Sequence, residues 1–324
     1  MGNNINDGYA DSNRLSDKAL LIYNDFLHSG KFLTHYKWLK NAAETYDIKL
    51  ELMGNSQFLC SYGTSFDNEL IETLGKYRFI LFWDKDIRLG KKFTNICKKI
   101  NIPIYNNIRA IADCDDKSAT YEKIGQWNDC HDTLEQIKMI PTIVAPMTYE
   151  NIGYTDMNFL DKVAEKFGFP LVIKECFGSF GMQVYMAHDM DELKKRVSDI
   201  GGKPMIFQKF IEKSSGFDVR LQVVGDEVVA AMFRYTDDGD FRANITHGGK
   251  MKSYEPDASE IKLATDTVKA LGLGFAGVDL LFSNGADMPA DTVCEVNSNA
   301  HFKNIFECTG VNIADEIMKY IMSH

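Results

Sequence analysis

The chain has 324 residues, 45% of them apolar and 25% charged, with a net charge of −10. This balance excludes a disordered chain, a fibre and a collagen-like repeat, and the length exceeds one compact core. The acidic balance argues against a nucleic-acid partner held by a broadly basic surface, and no apolar run approaches the roughly 18 residues of a membrane span.

The first dozen residues are rich in Asn, Asp, Ser and Gly and predict a frayed end. They show no basic segment followed by an apolar one, so no signal peptide is expected. Residues 19–24 (ALLIYN) predict a short buried strand. Phe32, Tyr36, Leu39 and Ala43 fall at helical spacing within 30–47, and 48–53 alternates as a strand does. A weaker helix is expected over 68–76, a buried strand over 78–84, a helix over 89–100 and a short strand over 102–105. Strands alternating with helices predict a small open parallel α/β domain. No G-x-G-x-x-G follows the first strand, so dinucleotide binding is not expected.

The middle of the chain predicts helices over 116–124 and 158–167, an extended segment at 141–145, and a strand over 171–174. That strand runs into Gly178-Ser-Phe-Gly181, which reads as a mobile turn between two strands. From 205 onward strands dominate, at 205–211, 218–224, 227–235, 276–282 and 292–296. Helices are expected over 260–271 and 313–321. Seven cysteines without a CxxC pair read as reduced thiols of a cytoplasmic protein rather than as a zinc site.

Chemistry concentrates at four places. Asp279 interrupts an apolar strand, and Glu295 and Asn297 lie two apart on the next strand, hence on one face. If those strands pair, three oxygen ligands converge in a set that suits Mg²⁺. Lys174 ends a buried strand beside the glycine loop and suits a phosphate. Residues 209–218 leave one strand and enter another. Adenine could take backbone hydrogen bonds near Phe210 and Ile211, and Asp218 could take ribose hydroxyls. Arg242 and Asn244 stand near Gly248-Gly249 as a phosphate clamp. His247 reads as a loop residue rather than a base. No G-x-x-x-x-G-K-[ST] occurs, which excludes a P-loop.

The ordered run of PLVIKE from 170, GSFG from 178, GFDVRLQVVGDEVVAAM from 216, DFRAN from 240, GVDLL from 277 and EVNSN from 295 resembles the ATP-grasp superfamily. The RimK-type carboxylate–amine ligases are the nearest part of it. The resemblance spans about 113–320. It implies an α/β (α+β) chain with an ATP-grasp fold and an N-terminal open parallel α/β pre-domain. The implied division is a pre-domain at 1–112, a central subdomain with a glycine-rich lid at 113–204, and a sheet subdomain with a metal site at 205–324.

The resemblance also implies roles. Lys117 and Lys174 would bind ATP, together with the lid residues Gly178, Ser179 and Gly181. Lys209, Phe210 and Ile211 would hold the adenine and Asp218 the ribose. Arg242 and Asn244 would line the triphosphate, and Arg220 and Arg242 would act on the reacting groups. Asp279, Glu295 and Asn297 would ligate two Mg²⁺ ions, with Mn²⁺ as a substitute. Residues 125–132 read as an insertion relative to such proteins.

The implied reaction is ATP- and Mg²⁺-dependent amide formation between a carboxylate and an amine, through an acylphosphate, with release of ADP and phosphate. The partners are then a small carboxylate and an amino acid or peptide, with a polypeptide acceptor as a variant and a homo-oligomer as the family habit. The alternative is a non-catalytic, regulatory ATP-binding module. It would require degeneration of the ATP and metal positions, and these positions are all filled.

Overall fold

The computed structural model describes residues 16–27, 30–62, 66–178, 181–243 and 248–324. The expected frayed end lies outside the described residues. The first part is a parallel sheet of β1 (Lys18–Tyr23), β2 (Lys49–Gly54), β3 (Ile80–Trp83) and β4 (Ile104–Tyr105), in the order β2-β1-β3-β4. Its strands are joined through α1 (Gly30–Glu44), α2 (Phe66–Leu74) and α3 (Ile87–Lys99). Strand alternation divides its side chains between two cores. Leu20, Ile22, Ile80 and Phe82 pack with Leu74, Phe93 and Ile96 on one face. Ala19, Leu21, Leu81 and Trp83 pack on the other with Tyr36 and Leu39. Covering both faces is why β1 and β3 are continuous apolar runs.

Two helices follow, α4 (Ile108–Asp115) and α5 (Lys117–Asp129). The sequence predicted one helix here, ending at 124. Asp116 separates the two by capping α5, accepting from the Ser118 and Ala119 backbone N–H groups. Residues 125–129, expected as part of an insertion, continue α5. Trp127 stacks on His131, ring centroids 3.9 Å apart, as the helix ends.

The central part is an antiparallel sheet of β5 (Thr142–Val144), β6 (Leu171–Glu175), β7 (Val184–Ala187) and β8 (Met205–Lys209), in the order β5-β8-β6-β7. It is backed by α6 (Phe159–Phe167) and α7 (Met190–Ile200). The helix α7 was not foreseen. Its charged sequence buries Leu193, Val197 and Ile200 against the sheet, with Met190 half-buried beside them, and Asp189 caps it.

The third part is an antiparallel sheet of β9 (Phe217–Val224), β10 (Glu227–Tyr235), β11 (Lys250–Ser253), β12 (Phe275–Leu281) and β13 (Thr292–Asn297), in the order β11-β10-β9-β12-β13. The helices α8 (Ala258–Leu271), α9 (Lys303–Thr309) and α10 (Ile313–Ser323) cover it. Like α4, the elements β11 and α9 were not expected. Gly225, at φ 60°, turns β9 into β10. No helix among the described residues is long and apolar enough to cross a membrane.

Candidate functional site

A cavity of about 440 Å³ opens where the three sheets face one another. Strand register decides which side chains reach it. Asp218 and Arg220 lie two apart on β9 and so share a face. In the ladder, Arg234 of β10 stands opposite Asp218, Asp279 of β12 opposite Arg220, and Glu295 of β13 opposite Asp279. Of these, Asp218, Arg220, Arg234 and Asp279 form one ion-paired quartet. Arg220 grips Asp279 through two bonds of 2.6 Å, and Arg234 grips Asp218 at 2.6 and 2.7 Å. The Arg234 Nη2 also reaches Asp279 Oδ2 at 3.0 Å.

The electrostatics of this quartet follow from burial and pairing. Burial raises Asp279, but Arg220 and Arg234 overcome it and hold that carboxyl below the usual range. Burial dominates at Asp218 and pushes its carboxyl up against the pull of Arg234. Burial opposes the charge on Arg234, yet the two carboxylates hold its pKa above the ordinary arginine value. Arg234 escaped the sequence reading. The signal was there, because it is a charge within an apolar strand, the same anomaly that singled out Asp279.

Glu295 and Asn297 leave β13 toward the cavity. Lys117, the first residue of α5, lies 3.7 Å from Glu295 Oε1 and donates to the Gly178 carbonyl at 3.2 Å. On the far side of the glycine loop, Arg242 donates to the Gly181 carbonyl at 3.0 Å, while Asp240 holds the same guanidinium. Two cations therefore hold the two described ends of the loop. Gly181 sits at φ 70°, a backbone that favours glycine. Ser179 and Asn244 lie outside the described residues, as does His247.

Lys174, on β6, is buried and donates to the Cys294 thiol at 3.6 Å. Lys209, Phe210 and Ile211 line the same cavity as β8 ends, and Phe210 meets Phe241 edge-on. The expected residues from both later sheets are thus brought to one space, with Lys117 and Gly178 just behind its wall. Reasoning from motifs missed the opposite wall, which the first sheet and the loop after β13 supply. It includes Tyr36, Trp83, Asp84 and His301. Asp84 directly follows a parallel strand, the end of an open sheet at which ligands bind.

Among the described residues, no three of His, Cys, Asp and Glu converge closely enough to hold a metal by themselves. A hard cation would here need an amide oxygen such as that of Asn297.

The RimK-like ATP-grasp domain matches residues 129–321. The "Uncharacterized protein MG012 homolog" of Mycoplasma pneumoniae is 28% identical over 303 residues, covering 93% of this chain and 98% of that one. The "Probable alpha-L-glutamate ligase" of Legionella pneumophila (strain Corby) is 34% identical over 195 residues, 59% of this chain and 62% of the relative. Among solved structures, the ATP-grasp ligase PsnB, complexed with a phosphomimetic variant of its minimal precursor, Mg and ADP, superposes with a TM-score of 0.62 at 14% identity. It covers 95% of this chain and 98% of that one. At that identity the likeness is one of fold. The domain match spans more than half of the chain, over the two later sheets that face the cavity, and the chain belongs to the RimK-like ATP-grasp ligases.

Proposed function

We propose that the protein joins a carboxylate to an amine at the expense of ATP, through an acylphosphate. The observation that carries this reading is the cationic half of the cavity. Lys174, Arg220 and Arg242 reach it from three different strands and loops, and Glu295 and Asn297 face them. The glutamate ligase name of the Legionella relative and the Mg and ADP in the PsnB complex agree with it.

Asp279, Glu295 and Asn297 fit Mg²⁺ by chemistry, being all oxygen donors on paired strands. The Asn297 Nδ2 is buried with no hydrogen-bond partner among the described residues, an open donor suited to a phosphate oxygen while the amide oxygen would meet the ion. Asp279 is shared with Arg220, so Glu295 and Asn297 are the more available donors. Bound there, the ion would neutralise phosphate oxygens.

The chain's own residues would do the rest. Lys174 and Arg242 would hold the triphosphate in line with the attacking carboxylate, the positioning on which phosphoryl transfer depends. The carboxylate oxygen forms its bond to the γ-phosphorus as the bond to ADP breaks. Amine nitrogen then attacks the acyl carbon, phosphate leaves with the electron pair, and the amine proton passes to solvent or phosphate. Arg220 would stabilise the oxyanion that develops. Lys117 and Arg242 would set the glycine loop over the site, excluding water from the acylphosphate. Lys209, Phe210 and Ile211 would take the adenine and Asp218 the ribose. Ser179 and Asn244 remain proposed contacts of the phosphates.

ADP release in the presence of Mg²⁺, scanned over amino acids, small acids and short peptides, tests the reading. Turnover that requires one carboxylate and one amine is expected. Phosphate release indifferent to every such pair would refute it. Glu295→Gln is expected to lower kcat at least a hundredfold while leaving the fold intact by circular dichroism.

A further inference from the structure

The cavity has two electrical ends. One is the cationic end just described. The other is formed by the first sheet, where among the described lining residues Asp84 is the buried carboxylate, and Phe32, Tyr36 and Trp83 line the same end. Asp84 is only 4% exposed. Its Oδ1 accepts from the Lys85 backbone N–H at 2.6 Å and from the Asn24 amide at 3.3 Å. Its Oδ2 is buried and has no hydrogen-bond partner among the described residues. The neighbouring cation does not serve it, because the Lys85 ammonium is drawn to Asp115 at 2.6 Å.

A buried carboxylate without a counter-charge is costly, and proteins tolerate such groups chiefly where a ligand supplies the charge. Burial raises the Asp84 carboxyl above its ordinary range, against the pull of the Lys85 backbone N–H and the Asn24 amide. The walls carry the same message. Burial and, after it, the nearby Asp84 carboxylate raise the pKa of the Tyr36 hydroxyl, and Phe32 and Trp83 line the same cavity, an apolar surround for the body of an amine.

We infer that Asp84 is the specificity residue for a substrate carrying a primary ammonium group on an apolar body, docked against Phe32, Tyr36 and Trp83. The inference rests on the ligase reading for what happens next, but the recognition itself does not. The ammonium would donate to Oδ2, the one open acceptor, and its charge would replace the missing partner. The phosphates and this ammonium would then lie at opposite ends of one cavity, with the amide-forming atoms between them. Asp84 is assigned recognition and positioning, not proton transfer.

The test uses the full chain and two probes of equal shape, 2-phenylethylamine and 2-phenylethanol, titrated by calorimetry with and without Mg²⁺ and AMP-PNP. The amine is expected to bind at least about tenfold more tightly than the alcohol, the scale of one charge-assisted hydrogen bond. In Asp84→Asn the two probes should bind within about threefold of each other. That variant keeps the Oδ1 acceptor, so its AMP-PNP affinity should match the wild type. Equal affinities of the two probes for the wild-type chain would overturn the inference without any variant. So would an amine preference that survives in Asp84→Asn. Failure of AMP-PNP to bind would instead count against the ligase reading, and the nucleotide-free titration would still decide the role of Asp84.

Discussion

Arg234 and Asp84 show two opposite ways of burying a charge. Arg234 is 8% exposed and fully paired, with Asp218 on one side and Asp279 on the other. Removing it leaves two carboxylates facing one guanidinium, so Arg234→Ala should cost about 3–5 kcal/mol, the penalty for breaking a buried ion network from one side. Urea unfolding followed by fluorescence measures it, and a loss below about 1 kcal/mol would mean that solvent reaches the quartet. Asp84 has no such partner. In the unfolded chain its carboxyl titrates near 3.8, and burial raises that value in the fold. The folded state therefore holds the proton more tightly, and the contribution of Asp84 to stability falls as pH rises from about 4 through the raised value. Asp84→Asn removes this dependence. The variant should melt close to the wild type near pH 4 and progressively above it toward pH 7. A melting difference that stays flat with pH would show that Asp84 is already neutralised. Both residues mark the limit of a one-residue reading. Arg234 was visible as a mid-strand charge, whereas what makes Asp84 unusual is that Lys85 turns toward Asp115, and no spacing reveals that.

At the scale of elements, legibility followed burial. β1 and β3 were plain because both of their faces pack, one against Phe93 and the other against Tyr36, which leaves unbroken apolar runs. β9, β10, β12 and β13 were plain because a charge or a turn residue interrupts each at a telling place. The helix α7 was obscured because four apolar residues in eleven suffice to dock it, and α4 because Asn107 and Asp116 cap a helix only eight residues long. The helix expected to end at 124 runs on to Asp129, because nothing lies within 4 Å of a Cβ position at Gly125 to contest it. One joint between elements had no sequence signal at all. Asn106, directly after β4, donates to the Phe275 carbonyl at 2.8 Å and the Ser298 carbonyl at 3.1 Å, and accepts from the Gly274 N–H at 2.8 Å. It ties the first sheet to the start of β12 and to the loop after β13. Asn106→Ala strands three buried backbone groups, and a loss of about 2–4 kcal/mol is expected in chemical denaturation. Loss of less than about 1 kcal/mol would mean that water replaces the amide.

At the scale of the molecule, the apolar clusters are not shared evenly. The first and third sheets have a common core, in which Leu21, Tyr36 and Leu39 pack with Met232, Phe275, Ile317 and Ile321. The central sheet has its own cluster, built on Leu160, Ile173, Leu193, Val197 and Phe207. Only a small group, Tyr121, Ile140, Cys176 and Ile206, sits beneath it toward the rest. A unit with a separate core and a thin apolar seam can open without dissolving the larger one. Amides of β6, β8, α6 and α7 should therefore exchange through an opening of lower free energy than those of β1, β9 and β12. Bound nucleotide would bridge the seam, since Lys174 stands on one side and Arg220, Glu295 and Asn297 on the other. At about 100 times its Kd, AMP-PNP with Mg²⁺ should raise protection in the central unit by up to about 2.7 kcal/mol, the mass-action limit for a ligand that the open form cannot hold. The first sheet should gain less at the same concentration. Hydrogen exchange read by mass spectrometry, peptide by peptide, distinguishes this from a rigid molecule, in which all three sheets would exchange with one free energy and respond equally to nucleotide. Uniform protection would mean that the seam at Tyr121 and Ile206 holds as firmly as the shared core, and the central sheet would then have no independent motion with which to close over a substrate.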